Sequence, residues 1–364
     1  MDELKRSSQD LVHIARLALE GKVNDVQMFL RRALRHYQVS EPEVARQLQE
    51  LLAQRPARMS SLREVDPIPV DIDSRLDLIR FEHLPELDIE PVFTPDVQKA
   101  LEQVILERQQ PSRLLDAGLV PTKSLLLTGP PGVGKTLAAK WLARQLQLPL
   151  LTLDLSAVMS SFLGRTGTNV RYVLDYAKRQ SCILLLDEFD AVAKRRDDAT
   201  EIGELKRLVT VLLQEIDEWP ATGLLIAATN HPTLLDPAVW RRFDLRLEFP
   251  MPTFEQMRGA ISQWLSKGNL SSEPLAVMLS AALRNESLSE AGKTLIRAQR
   301  SAVLTGANVE ERLHQLLAEK LRSASLADRK QVATILTESG LSQREVNSIT
   351  GLSRDTIRKI TKTK

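Results

Sequence analysis

The 364 residues are 43% apolar and 26% charged, the balance of a water-soluble chain long enough for two or three domains that bury their own cores. A net charge of +2 excludes a strong overall field, so any nucleic-acid role has to rest on a local patch. The single cysteine, Cys182, excludes an intramolecular disulfide and fits a reducing compartment. The opening Met1-Asp2-Glu3-Leu4 has no apolar signal core and no stretch approaches the ~20 apolar residues of a membrane span, so a cytoplasmic protein without a membrane partner is expected.

Residues 8 to 54 read as helices. Leu11, Ile14, Ala15, Ala18 and Leu19 mark one apolar stripe, Val23, Val26, Phe29, Leu30, Ala33 and Leu34 a second, and Ser40-Glu41-Pro42-Glu43 starts a third helix. This unit, 1–54, is expected to dock a partner or substrate; Arg31, Arg32 and Arg35 make it locally basic, as a solvated face also would be. Between Arg55 and Pro95 fall six of the 18 prolines, which prevents long helices, so 55–83 is expected to be a linker, ordered where Ile72 to Phe81 packs against the next domain.

Thr94-Pro95-Asp96 opens a helix through about Glu107. The apolar run Ser124-Leu125-Leu126-Leu127 is then followed by Gly129-Pro130-Pro131-Gly132-Val133-Gly134-Lys135-Thr136-Leu137 and a helical stretch. Strand, glycine-rich loop and helix start are the context of a phosphate-binding loop: the backbone curls so that N–H groups point at phosphate oxygens, and the helix N-terminus adds positive charge. Lys135 is positioned to reach the β- and γ-phosphates of a nucleoside triphosphate, and the Thr136 hydroxyl to ligate Mg²⁺.

Further short strands, Pro149 to Asp154, Cys182 to Asp187, Gly223 to Thr229 and Leu245 to Phe249, alternate with helical stretches. That alternation predicts an α/β domain with a parallel sheet, whose active site forms at the carboxyl ends of the strands. The run Ile183 to Leu186 ends in Asp187-Glu188, which suits Asp187 to hold Mg²⁺ and Glu188 to orient and polarise the attacking water. Asn230, after the next strand, can hold the same water near the γ-phosphate; the alternative is a turn residue before His231-Pro232. Arg241 and Arg242 lie on a face away from their own phosphate loop and so would serve a neighbouring subunit.

From Thr253 to about Arg322 the chain reads as helical, with apolar positions including Ile261, Trp264, Leu265, Leu279, Leu295, Ile296, Val303 and Leu304. A different signal closes the chain. Gln331 to Glu338, Ser342 to Ile349 (capped by Ser342 and Glu345) and Ser353 to Ile360 read as three short helices, broken at Gly340 and at Thr350-Gly351-Leu352. This resembles a helix-turn-helix with a small core of Val346, Ile349, Leu352 and Ile357, leaving Arg354, Thr356, Arg358, Lys359 and Lys362 on a face that could enter a major groove of double-stranded DNA. Such units also serve as protein adaptors.

Residues from about 84 to 322 resemble an AAA ATPase module of the protein-remodelling type, on the ordered set Gly129 to Thr136, Asp187 and Glu188, Asn230, and Arg241 and Arg242. The resemblance implies ATP with Mg²⁺, a five-stranded αβα domain over 84–252, a helical lid over 253–322 and a homo-oligomeric ring, usually a hexamer, with ATP between subunits. It also implies that Phe162-Leu163-Gly164 lines a central pore and grips a protein substrate, with Arg165 standing where many relatives carry an acid, and that Lys194 to Asp198 forms a second pore-facing loop. Ser289-Glu290-Ala291 resembles the lid's sensor motif, but Gly292 and Lys293 break the match, so no lid sensor is assigned. The sequence lacks a His-Glu-x-x-His or Gly-x-Ser-x-Gly pattern, so any proteolysis would need a separately encoded protease. Two functions remain open: an ATP-driven ring that threads or unfolds protein and is addressed to DNA by residues 323–364, or a DNA-binding regulatory or mobile-element ATPase whose nucleotide state controls assembly on DNA.

Overall fold

The structure, a computed structural model, describes residues 44–47, 69, 78–155, 166–193, 202–270 and 272–362. The chain divides into two compact units, Met1–Pro67 and Ile68–Lys364. Of the first unit the described residues 44–47 form one helical turn with Ala45 buried; the rest of the predicted N-terminal helices lies outside the described residues.

Among the described residues of the second unit, six strands form one sheet: β1 (Arg80–Glu82), β2 (Ser124–Thr128), β3 (Leu150–Asp154), β4 (Ile183–Asp187), β5 (Leu224–Thr229) and β6 (Leu245–Glu248), in the order β1-β3-β4-β5-β2-β6. Strands β2 to β6 are parallel, as predicted, whereas β1 pairs antiparallel with β3, Arg80 opposite Thr152 and Glu82 opposite Leu150. The five expected parallel strands are thus present, and a sixth, antiparallel, lies inside the stretch read as linker. Three residues beside prolines carry no periodic signal of their own; β3 supplies the ladder partner, and Lys140 anchors Glu82 at 2.8 Å.

Side-chain alternation splits the apolar strands between two layers. Leu126, Leu153, Leu184, Leu186, Leu225 and Ala227 pack with Val170, Val173 and Leu174 of α4 (Thr166–Lys178) and Leu212 and Ile216 of α6 (Ile202–Asp217). Leu125, Leu127, Leu150, Ile183, Leu185 and Ile226 pack with Val97, Leu101 and Val104 of α1 (Pro95–Gln109) and Ala138 and Leu142 of α3 (Lys135–Leu146). The short α2 (Pro111–Asp116) follows α1, and α5 (Asp190–Ala193) and α7 (Pro237–Trp240) follow β4 and β5. This three-layer αβα arrangement puts the loops after β2, β4 and β5 side by side at one sheet edge, because β2 lies next to β5 and β5 next to β4.

The stretch expected to form a lid consists of α8 (Phe254–Lys267), α9 (Glu273–Ala282), α10 (Leu288–Thr305) and α11 (Val309–Ser323). Residues 323–364, expected to be a separate unit, form α12 (Leu326–Glu338), α13 (Gln343–Thr350) and α14 (Arg354–Lys362), and they share the lid's core. Val332, Leu336, Val346, Leu352 and Ile357 belong to one buried cluster with Leu275, Leu279, Leu313 and Leu317. Arg284 reinforces the junction by donating to Asp328 at 2.7 Å and Gln331 at 2.9 Å, and Lys320 pairs with Glu286. The predicted capping box Ser342/Glu345 is present, and Gly351 closes α13 at a φ of 65°. Three of the apolar positions face solvent instead: Ile296, Val303 and Leu304, the last two 77% and 87% exposed, because α10 buries the face that carries Ala291, Leu295, Ala298 and Ala302.

Candidate active site

The phosphate loop needs glycine where the backbone meets its neighbours. At Gly129, with φ 144°, a Cβ would sit 2.0 Å from the Phe249 carbonyl oxygen. At Gly132, with φ 77°, it would sit 2.5 Å from the Ser287 hydroxyl, and the Gly132 carbonyl accepts from the Ser289 backbone N–H at 3.1 Å, so loop and lid touch directly. Lys135, the first residue of α3, is buried; its ammonium donates to the carbonyls of Gly129 (2.7 Å) and Pro130 (2.8 Å) and to Asn230 Oδ1 (2.8 Å). Burial pushes the Lys135 pKa below its ordinary value, against the opposing pull of the Asp187 and Asp190 carboxylates.

Asp187 ends β4 and Glu188 follows it. The Thr136 hydroxyl donates to Asp187 Oδ2 at 3.1 Å, and the Glu188 N–H to Asp187 Oδ1 at 3.0 Å. Glu188 itself stands at φ 53°, a left-handed conformation that a non-glycine residue holds only under constraint, and its side chain is exposed at the cleft. Asn230, just past β5, has its Oδ1 on Lys135. Lysine only donates, so the amide is oriented with its NH₂ free for the cleft.

These residues line a cleft of about 420 Å³ together with Pro131, Gly132, Gly134, Leu137, Ser289 and three large apolar side chains, Ile89, Trp264 and Leu288. Gly129, Pro130 and Val133 complete the loop behind it; Val133 is buried in the α1/α3 layer. The apolar end escaped the sequence reading: Ile89 sits in the proline-rich stretch, and Trp264 reads as one more position of a helical stripe. A signal was present in Gly292, the residue that broke the lid motif, because a Cβ there would meet the Trp264 ring at 2.5 Å. Glycine at 292 is what lets the indole lie where it lines the cleft.

Arg241 and Arg242 follow α7, exposed, and neither lines the cleft that Lys135 lines. Arg242 is ion-paired with Asp217 at the end of α6. Phe162, Leu163 and Gly164, and the loop Lys194 to Asp198, lie outside the described residues. On α14, Arg354, Arg358 and Lys359 are exposed, whereas Thr356 is half-buried with its hydroxyl 2.8 Å from that of Ser353, at the helix start. Among the described residues no helix is long and apolar enough to cross a membrane.

Residues 125–251 match the family described as ATPase family associated with various cellular activities (AAA). The chain is similar to an uncharacterized AAA family ATPase, y4kL, of Sinorhizobium fredii, 39% identical over 213 residues, 57% of this chain and 64% of that protein. It is also similar to proteasome-activating nucleotidases: that of Methanococcus maripaludis is 36% identical over 201 residues, 53% of this chain and 49% of that protein. That of Methanothermobacter thermautotrophicus is 32% identical over 256 residues, 66% of this chain and 62% of that protein. The chain thus spans about half to just under two thirds of the length of these relatives. With its strand order, its phosphate loop and this match in agreement, the segment 125–251 is an ATPase domain of the AAA family.

Proposed function

We propose that the chain is a Mg²⁺-dependent ATPase that assembles as a homo-oligomeric ring, a hexamer, and uses hydrolysis to unfold or thread protein substrates. The observation that carries this reading is the convergence of Lys135, Thr136, Asp187, Glu188 and Asn230 on one cleft that Trp264, Leu288 and Ser289 also line. Similarity to proteins named proteasome-activating nucleotidases supports the protein-substrate part and a separately encoded protease as recipient.

ATP enters with its base against Ile89, Trp264 and Leu288 and its phosphates over the loop of Gly129 to Thr136. Lys135, held by two loop carbonyls, balances charge on the β- and γ-phosphates. Thr136 Oγ1 and Asp187 Oδ2, hard oxygen donors 3.1 Å apart on the cleft wall, fit Mg²⁺, which when bound neutralises charge on the phosphates. Glu188 takes a proton from the attacking water as its oxygen bonds to the γ-phosphorus, while the bond to the bridging oxygen breaks and leaves ADP and phosphate. The free NH₂ of Asn230 donates toward that water or the γ-phosphate. Arg241 and Arg242 act on the neighbouring subunit's γ-phosphate, because their own cleft does not include them. Phe162, Leu163 and Gly164 take the role of gripping polypeptide in the pore.

The exposed Arg354, Arg358 and Lys359 of α14 support a second element of the reading, an address on double-stranded DNA, and equally the rival reading of a DNA-bound regulator. One experiment separates them: ATPase rate with an unfolded test protein or duplex DNA, and particle mass of the Glu188→Gln variant with ATP. Stimulation by polypeptide and a ring-sized particle are expected. Stimulation by DNA alone overturns the threading function in favour of the regulator, and no ATP hydrolysis under any condition overturns both.

A further inference from the structure

The turn after β4 leads into a third carboxylate, one that takes no part in the proposed reaction. Asp190, the first residue of α5, is half-buried, three residues past Asp187. Its Oδ1 accepts from the Thr229 hydroxyl at 2.7 Å and from the Asn230 backbone N–H at 3.3 Å. Thr229 is almost fully buried, and its oxygen in turn accepts from the His231 N–H at 3.0 Å. A second strap, the Phe189 N–H to the Ala228 carbonyl at 2.9 Å, runs alongside. The end of β5 is thereby tied to the loop after β4 from both sides.

We infer that Asp190 is a positioning residue for phosphate cleavage: it fixes Asn230 against Glu188, so that the amide and the carboxylate act on one water. The physical reason lies in where the register stops. Strands β4 and β5 are held by ladder bonds as far as Leu186 opposite Ala227, but Glu188 and Asn230 lie beyond the ladder, on chain that turns away. With Lys135 holding only the amide oxygen, the backbone of Asn230 needs its own anchor, and an ionised carboxylate accepting two bonds is a strong one. Asp190 touches neither substrate nor water in this scheme; its effect passes through Asn230.

The inference rests on the ATPase reading, and the test keeps the two apart. In the full chain, Asp190→Ala should lower kcat roughly 10- to 100-fold while ATP affinity, measured by calorimetric titration with a non-hydrolysable analogue, stays within about threefold. Asp190→Asn keeps an acceptor of the same shape without the charge and should restore kcat to within about threefold of wild type; Thr229→Val removes one of the two donors and should fall between. In an Asn230→Ala background, Asp190→Ala should cost little more, because the group it positions is gone. Undiminished kcat in Asp190→Ala, full additivity with Asn230→Ala, or Asp190→Asn as damaged as Asp190→Ala each overturns the inference. Loss of ATP binding in Asp190→Ala also overturns it, since the residue would then hold the site together. An inactive wild type overturns the ATPase reading instead.

Discussion

Substituting Gly292 by alanine tests the one part of the cleft that no motif marks. The backbone at 292 is ordinary helix, so alanine costs nothing in φ and gains about 1 kcal/mol of helix propensity. Its methyl, however, would lie 2.5 and 2.8 Å from two ring carbons of Trp264, where ordinary contact begins at 3.4 Å. The indole must retreat by about 1 Å, and overpacking of that kind costs about 1–3 kcal/mol, leaving a net destabilisation of about 0–2 kcal/mol. Base-on-aromatic contact is worth about 1–3 kcal/mol, so a displaced ring should forfeit about 1 kcal/mol, or roughly fivefold in nucleotide Kd. Calorimetric titration with a non-hydrolysable ATP analogue measures this. The turnover at saturating ATP should change less than about threefold, since Glu188 and Asn230 are untouched. In a Trp264→Ala background the Gly292→Ala effect should vanish. Unchanged affinity in the single variant, or a loss that persists without the indole, refutes the assignment of Trp264 as the base wall and of Gly292 as its seat.

Other outcomes follow from the same geometry. Arg241→Ala should reduce hydrolysis by about 10³-fold or more, and mixing it with Lys135→Ala subunits, themselves inactive, should restore turnover, because each supplies what the other lacks; no recovery in mixed particles counts against action between subunits. Arg242→Ala additionally breaks the pair with Asp217, so it should lower Tm as well as rate, which thermal unfolding checks. A chain ended after Ser323 strips the shared core from Leu313 and Leu317 and should melt about 5 °C or more lower, whereas the triple change Arg354→Ala, Arg358→Ala, Lys359→Ala should melt within about 2 °C of wild type and lose salt-dependent binding to duplex. The Ser342 hydroxyl and N–H hold the Glu345 carboxyl below its ordinary range, so the cap's contribution is complete above that range and fades as pH falls through the lowered value. The protection of the α13 amides against exchange, taken relative to the intrinsic rate at each pH, should therefore fall in acid, and less steeply in Ser342→Ala.

Much of the site was legible because its chemistry depends on short runs of chain. A phosphate loop is eight consecutive residues, Gly129 to Thr136, whose glycines and lysine have to be close in sequence to do their work, and Asp187-Glu188 is marked by the apolar strand that precedes it. The parallel strands were legible for a related reason: burial on both faces forces continuous apolar runs, as in Ile183 to Leu186. The order of the strands, and so which loops meet, was another matter. Only the folded chain brings Asn230 to within 2.8 Å of Lys135, 95 residues away, and sets Trp264 on the cleft that Pro131 lines.

By itself, then, the sequence determined the nucleotide-binding chemistry, the α/β class and the succession of helices to the end of the chain, since each is written in local periodicity or contiguous motifs. Tertiary structure alone decided the rest. The strand at Arg80–Glu82 exists because β3 offers it a ladder. Gly292 matters because an indole lies against it, and Asp190 because β5 ends beside it. The last three helices join the helices before them because their apolar faces pack against Leu313 and Leu317 as well as against one another. Each is a contact between residues far apart in the chain, and the energy that selects such contacts is the burial and pairing of surfaces that exist only once the chain has folded.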